Sequence, residues 1–209
     1  MAAPEDLRAR RRRETAREIH LAALRLAREH GFDAATVEAI SAEAGIAPRT
    51  FFNYFPTKEA AVVHGPFDLA QPEVSAFAAG DAMAYPELLA ELVDLLAANL
   101  AHDLPSRGEL HDVLAVSRDH PGVLAAMLAQ LEAFQRRVAA LVADRLGRPA
   151  DDEVASLIAA LALTILRTGF DRWAARTTAD AENGPVADIA HAAALMKGLF
   201  ASGGSGMQP

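Results

Sequence analysis

TVEAISAEAGIAPRTFFNYFPTK, residues 36–58, reads as two short helices joined by a tight glycine turn, followed by the start of another helix. Thr36 is placed to cap the first helix, because its hydroxyl accepts a backbone N–H of the opening turn. Val37, Ile40 and Ala44 recur at the spacing of one buried helix face. Gly45 follows as the left-handed residue that stops that helix, and Ile46 plugs the gap between the helices. Pro48 opens the second helix, expected over 48–54, with its φ preset and no N–H to lose. Phe51 and Phe55, four apart, face inward and leave Arg49, Thr50, Phe52, Asn53 and Tyr54 outward. Guanidinium, amide, hydroxyl and aromatic groups on one outward face are what a helix in a DNA major groove carries.

The surrounding composition narrows the class. The 209 residues are 52% hydrophobic and only 6% aromatic, a leucine- and alanine-rich mixture that suits helices. Cysteine is absent, which excludes disulfides and thiolate metal sites. No unbroken run of 18 apolar residues predicts a membrane span, and no apolar stretch follows the N-terminal arginines as in a secretory signal. The expected location is therefore the cytoplasm, in association with the nucleoid. Charge is unevenly spread: residues 1–58 hold ten Lys/Arg against eight Asp/Glu, and residues 59–209 hold ten against twenty. A basic end meets phosphate while an acidic body is held away from it. Arg8, Arg10, Arg11, Arg12, Arg13 and Arg17 crowd just ahead of the two short helices. A charge run is most often a solvated face, but here Arg12 and Arg13 are expected to contact phosphate or the minor groove.

Residues 1–9 read as a flexible lead and 10–30 as the first helix, ended by Gly31. Thr57 caps a fourth helix running to 64, and Gly65-Pro66 opens a break over 65–72. Further helices are expected over 73–79, 86–101, 107–119, 121–146, 151–175 and 185–201. In the helix over 121–146 the leucines at 124, 128 and 131, together with Phe134, Val138, Leu141 and Val142, are expected to face inward. The helix over 151–175 is apolar almost all round, so one side should meet the core and the other a second subunit. The Gly/Ser-rich residues 202–209 read as a disordered tail.

The stretch from Gly45 to Lys58 resembles the helix-turn-helix of the TetR/AcrR family of bacterial regulators, whose motif runs G-[VI]-x-x-x-T-[FL]-Y-x-[YH]-F-x-[ST]-K. Phe52 stands where the family has tyrosine, and Ala47 where many members have a hydroxyl-bearing cap. The resemblance implies an all-α fold with an N-terminal three-helix DNA-binding domain at 1–58 and a larger helical ligand-binding and dimerisation domain at 59–201. It also implies a homodimer built on the helices near 151–175 and 185–201, a pseudo-palindromic double-stranded operator, and release from DNA by an effector. Together with the arginine run, the residues expected to contact DNA are Arg12, Arg13, Thr36, Pro48, Arg49, Thr50, Phe52, Asn53, Tyr54 and Lys58, and for Lys58 the resemblance itself implies a hold on the DNA backbone. The segment from Val116 to Trp173 is similar to the mycofactocin-type branch, associated with acyl-CoA effectors.

Phe77, Met127, Phe134, Arg167, Phe170 and Trp173 are the candidate effector residues, an apolar set beside a cation that suits a fatty acid or acyl-CoA. Taken singly, the apolar members read more simply as core. No catalytic or metal motif is present, and the recurrent His-Asp pairs near 102, 111 and 120 fall at expected helix ends. No cofactor and no enzyme activity are therefore expected. Two other readings remain open: a hydrophobic-ligand carrier or small enzyme that retains a DNA-binding head, and a membrane-surface anchor made by the arginine run. The anchor lacks the bulky apolar face that such a helix needs.

Overall fold

A computed structural model of the chain describes residues 4–65, 69, 71–81, 83–102, 104–176 and 184–201. Every regular element among them is helical: α1 (Pro4–His30), α2 (Val37–Glu43), α3 (Pro48–Phe51), α4 (Lys58–Val62), α5 (Gln71–Ala78), α6 (Tyr85–His102), α7 (Arg107–Asp119), α8 (Pro121–Arg145), α9 (Glu153–Ala175) and α10 (Val186–Ala201). The expected tail at 202–209 and much of the expected break at 65–72 lie outside the described residues.

The flexible lead expected at 1–9 is replaced from Pro4 onward by helix. Proline is favoured in a first turn, arginine is a good helix former, and Arg10 pairs with Glu14 at 2.8 Å one turn on. The arginine run is thus carried on α1. α2 ends as expected at Gly45, whose φ is +67°. The Ile46 N–H bonds to the Ser41 carbonyl at 2.9 Å and the Gly45 N–H to that of Ala42 at 3.2 Å, the paired closure of a Schellman turn.

Contacts group the chain into two compact units, residues 1–65 with 105–131, and residues 66–104 with 132–209. In the first unit Ile19, Ala23, Ile40, Phe51, Phe55, Val62 and Val123 form a buried core. α7 belongs here: it opens with a full capping box between Ser106 and Glu109, and Glu109 accepts from Arg17 of α1 at 3.1 Å.

The inward face expected for the start of α8 is wrong by one residue. Leu124, Leu128 and Leu131 are 41%, 57% and 45% exposed, whereas Val123 is fully buried. Val123, Met127 and Gln130 share the face that points inward, and the Gln130 amide donates to the Ala60 carbonyl at 3.3 Å. Because neighbouring helical residues lie about 100° apart, a leucine beside the true stripe is turned to solvent. Farther along, Phe134, Val138, Leu141 and Val142 are buried as expected.

The second unit packs Phe77, Leu88, Leu92, Leu96, Val138, Val142, Ile158, Ile165 and Ile189 into one core. Arg145 is almost wholly buried there; it donates to the Phe77 and Asp81 carbonyls, pairs with Glu91 at 3.1 Å, and ties α5, α6 and α8 together. α9 is long and apolar enough, by length and composition, to cross a bilayer. Its buried residues nevertheless form a single stripe, Ala155, Ile158, Ala159, Ala162, Ile165, Gly169 and Trp173, and α10 packs along it. Gly169 lets the helices approach so closely that a Cβ there would collide with the Ile189 backbone. At the end of this contact the fully buried Asp188 carboxylate accepts from Arg172 at 2.9 Å and Arg176 at 2.7 Å. Leu157 on α9 and Val186, Leu195 and Leu199 on α10 remain exposed.

Candidate DNA-reading surface

The reading segment is shorter as a helix than the sequence suggests. α3 is one turn, Pro48–Phe51, entered from Ala47 with no side-chain cap. Residues 52–54 continue as a turn, with the Asn53 N–H on the Thr50 carbonyl at 3.0 Å and the Tyr54 N–H on that of Phe51 at 2.9 Å. Pro56 disfavours helical backbone at Phe55, so the segment tightens instead of extending. Phe51 and Phe55 are buried with ring centroids 5.9 Å apart, and they hold the segment against the core.

That anchoring turns Pro48, Arg49, Phe52 and Asn53 to solvent, with Thr50 and Tyr54 half-buried beside them. Phe52 is 58% exposed, with its ring edge-on to that of buried Phe51 at a centroid distance of 5.5 Å. Thr36, also exposed, spends its hydroxyl on the Ala39 N–H at 3.2 Å, the expected cap. Lys58 is more committed. Its ammonium donates to the Phe32 carbonyl at 2.8 Å and lies 4.2 Å from the centre of the Phe32 ring. It therefore braces the start of α4 against the turn that follows α1.

Arg12 and Arg13 are both exposed on α1. Arg12 donates to the Asn53 carbonyl at 3.0 Å and stacks 5.1 Å from the centre of the Tyr54 ring. Sequence reasoning did not find this link, because the partners are 41 positions apart and no pattern pairs them. Behind the surface, burial pushes the His20 imidazole down to about 4, and its Nδ1–H donates to the Ala61 carbonyl at 2.9 Å.

The effector candidates fall into different surroundings. Phe77, Phe134 and Trp173 are buried in the second unit; Phe170 is half-buried with its ring 5.2 Å from that of Trp173. Met127 packs against the core of the first unit. Arg167 faces solvent, 4.0 Å from Asp171. Among the described residues no group of three His, Asp or Glu is arranged to hold a metal.

Residues 19–62 match the model of bacterial regulatory proteins of the tetR family, and residues 110–197 match the MftR C-terminal domain. The chain is a member of the TetR family. It is accordingly a TetR-family transcriptional regulator, with a helix-turn-helix head and an all-helical C-terminal part. Its fold is similar to that of a putative TetR-family transcriptional regulator from Mesorhizobium loti, at 16% identity and a TM-score of 0.51, over 92% of this chain and 98% of that one. Thermus thermophilus FadR, a TetR-family repressor in complex with lauroyl-CoA, is 24% identical over 93% of this chain and 97% of its own, with a TM-score of 0.46. No curated protein matches the chain by sequence.

Proposed function

We propose that this TetR-family regulator is a homodimeric repressor that leaves its operator when a small amphipathic effector binds. The observation that carries the DNA reading is the outward set Arg49, Phe52 and Asn53 on a segment clamped from behind by buried Phe51 and Phe55. Arg49 and Asn53 are assigned to base edges, since guanidinium and amide groups discriminate guanine and adenine in the major groove. Phe52 is assigned to thymine methyl groups or sugar. Pro48 sets the approach of the segment, and Thr36, Thr50, Tyr54, Arg13 and Lys58 line the backbone side. Two heads related by a two-fold axis would read half-sites about one helical turn apart, roughly 34–36 Å or slightly more.

Exposed Leu157, Leu195 and Leu199 support pairing of α9 and α10 with their copies in a second chain. The domain assignment of 1–58 to DNA, and of 59–201 to effector and dimerisation, belongs to the same proposal. The match to the MftR C-terminal domain supports a fatty acid or acyl-CoA effector, with Phe77, Phe134, Phe170 and Trp173 as its apolar contacts. Non-enzymatic action in the cytoplasm follows from this role.

The test is a gel shift of the full chain with its own upstream intergenic DNA at fixed salt. A specific shift, reduced for Arg49→Ala and Asn53→Ala with loss of sequence preference, supports the reading. Operator preference unchanged in both variants overturns the base-reading assignment. Thermal stability indifferent to a chain-length series of acyl-CoA ligands overturns the effector assignment.

A further inference from the structure

We infer that Arg12 is a positioning residue for sequence reading, a clamp that fixes the Asn53–Tyr54 turn, and not one of the phosphate contacts of the arginine run. The inference rests on the DNA-reading assignment above and gives Arg12 a different task within it. α3 has a single helical turn, so the peptide groups after Phe51 lack the support that a longer helix would give them. The Asn53 carbonyl is one of these groups, and its partner is the Arg12 guanidinium at 3.0 Å. The same guanidinium lies 5.1 Å from the Tyr54 ring centre, within cation–π range. One side chain therefore holds two consecutive residues of the reading segment.

The helix that carries Arg12 is anchored in the core. One and two turns farther along α1, Ala16 and Ile19 are buried in the core of the first unit, so the rotation of α1 dictates where Arg12 projects. The contact uses the backbone oxygen of Asn53, which leaves the side-chain amide for a base edge. Arginine suits this place because its planar fork can donate in one direction while its face stacks in another, whereas an ammonium is a point charge. Arg13, one residue on and equally exposed, points elsewhere on the helix and supplies the internal comparison.

The experiment uses the full chain and a duplex selected by the wild-type protein from a random-sequence pool, beside a shuffled duplex of equal length and composition. Dissociation constants for both are measured across a salt series, with circular dichroism to check the fold. For Arg12→Ala the preference for the selected over the shuffled duplex should fall about ten-fold, the worth of one misplaced base contact. Its affinity for the shuffled duplex and its salt slope should remain those of the wild type. Arg13→Ala should show the opposite pattern, equal weakening on both duplexes and a slope lower by about 0.9. Arg12→Lys, which keeps a donor and a cation in reach of Asn53 and Tyr54, should recover part of the lost preference. Uniform weakening by Arg12→Ala with a slope lower by about 0.9 overturns the inference, as does an unchanged preference. If the wild type selects no sequence at all, the DNA-reading assignment fails first and the inference falls with it.

Discussion

Replacing Gly169 by alanine sets two well-calibrated effects against each other. Gly169 is in the interior of α9, where alanine is intrinsically better by about 1 kcal/mol because it loses less backbone entropy. Against this, the new methyl group would press on the Cα and backbone N of Ile189, atoms of α10 that no rotamer change can move aside. Overpacking costs about 1–3 kcal/mol. With backbone as the obstacle the upper end applies, leaving a net loss of about 2 kcal/mol. For a chain of this size that lowers Tm by about 4–8 °C. Gly198 on α10 is the control, since a Cβ there meets nothing within 4 Å. Gly198→Ala should raise Tm by about 2–4 °C through propensity alone. The melts are followed by far-UV circular dichroism at fixed chain concentration. Adding Ile189→Ala should not rescue Gly169→Ala, because the closest obstacles are backbone atoms. A Gly169→Ala protein that melts at or above the wild type would refute the close approach of α9 and α10.

Other consequences are equally direct. His20 is neutral in the folded head with a pKa of about 4, while the unfolded chain takes up the proton near 6.5; stability should therefore decline as pH falls from 6.5 toward 4, by about 3 kcal/mol in total. Urea midpoints at pH 7 and 4.5 should differ less in His20→Asn, which can keep a donor toward Ala61 without titrating. Thr36→Ala removes the cap of α2 and should cost about 1 kcal/mol in the same urea assay, whereas Thr36→Asp should recover most of it. Arg145→Met should destabilise by about 2 kcal/mol or more in a urea titration, because the Phe77 and Asp81 carbonyls and the Glu91 carboxylate all lose this donor. Leu157→Glu with Leu195→Glu should shift the chain toward monomer in sedimentation at micromolar concentration, by placing charge on the face proposed to be shared.

Local chemistry made much of the head legible. A threonine three residues before an N–H, a glycine that alone is at ease at φ +67°, and a proline at a first helical position act through the nearest few bonds; those parts of the motif appear as read. Helix type and most ends of α6 to α10 were equally accessible, because hydrophobic period and punctuating proline or glycine are properties of neighbouring residues. Where two apolar stripes competed, the reading failed: the leucines at the start of α8 are as hydrophobic as Val123 and Met127, and only the core they meet selects between them.

Helical periodicity, the motif at residues 36–58 and the division of charge between a basic end and an acidic body are properties of residues close together along the chain, so the all-helical class and the helix-turn-helix were legible without a structure. Tertiary structure alone decided what the individual charges do. Arg12 turned to the Asn53 carbonyl, Lys58 to the Phe32 carbonyl, and Arg172 and Arg176 to the buried Asp188. A long flexible cation reaches any acceptor within several ångströms, and the acceptors it reaches are set by which distant segments folding brings beside it.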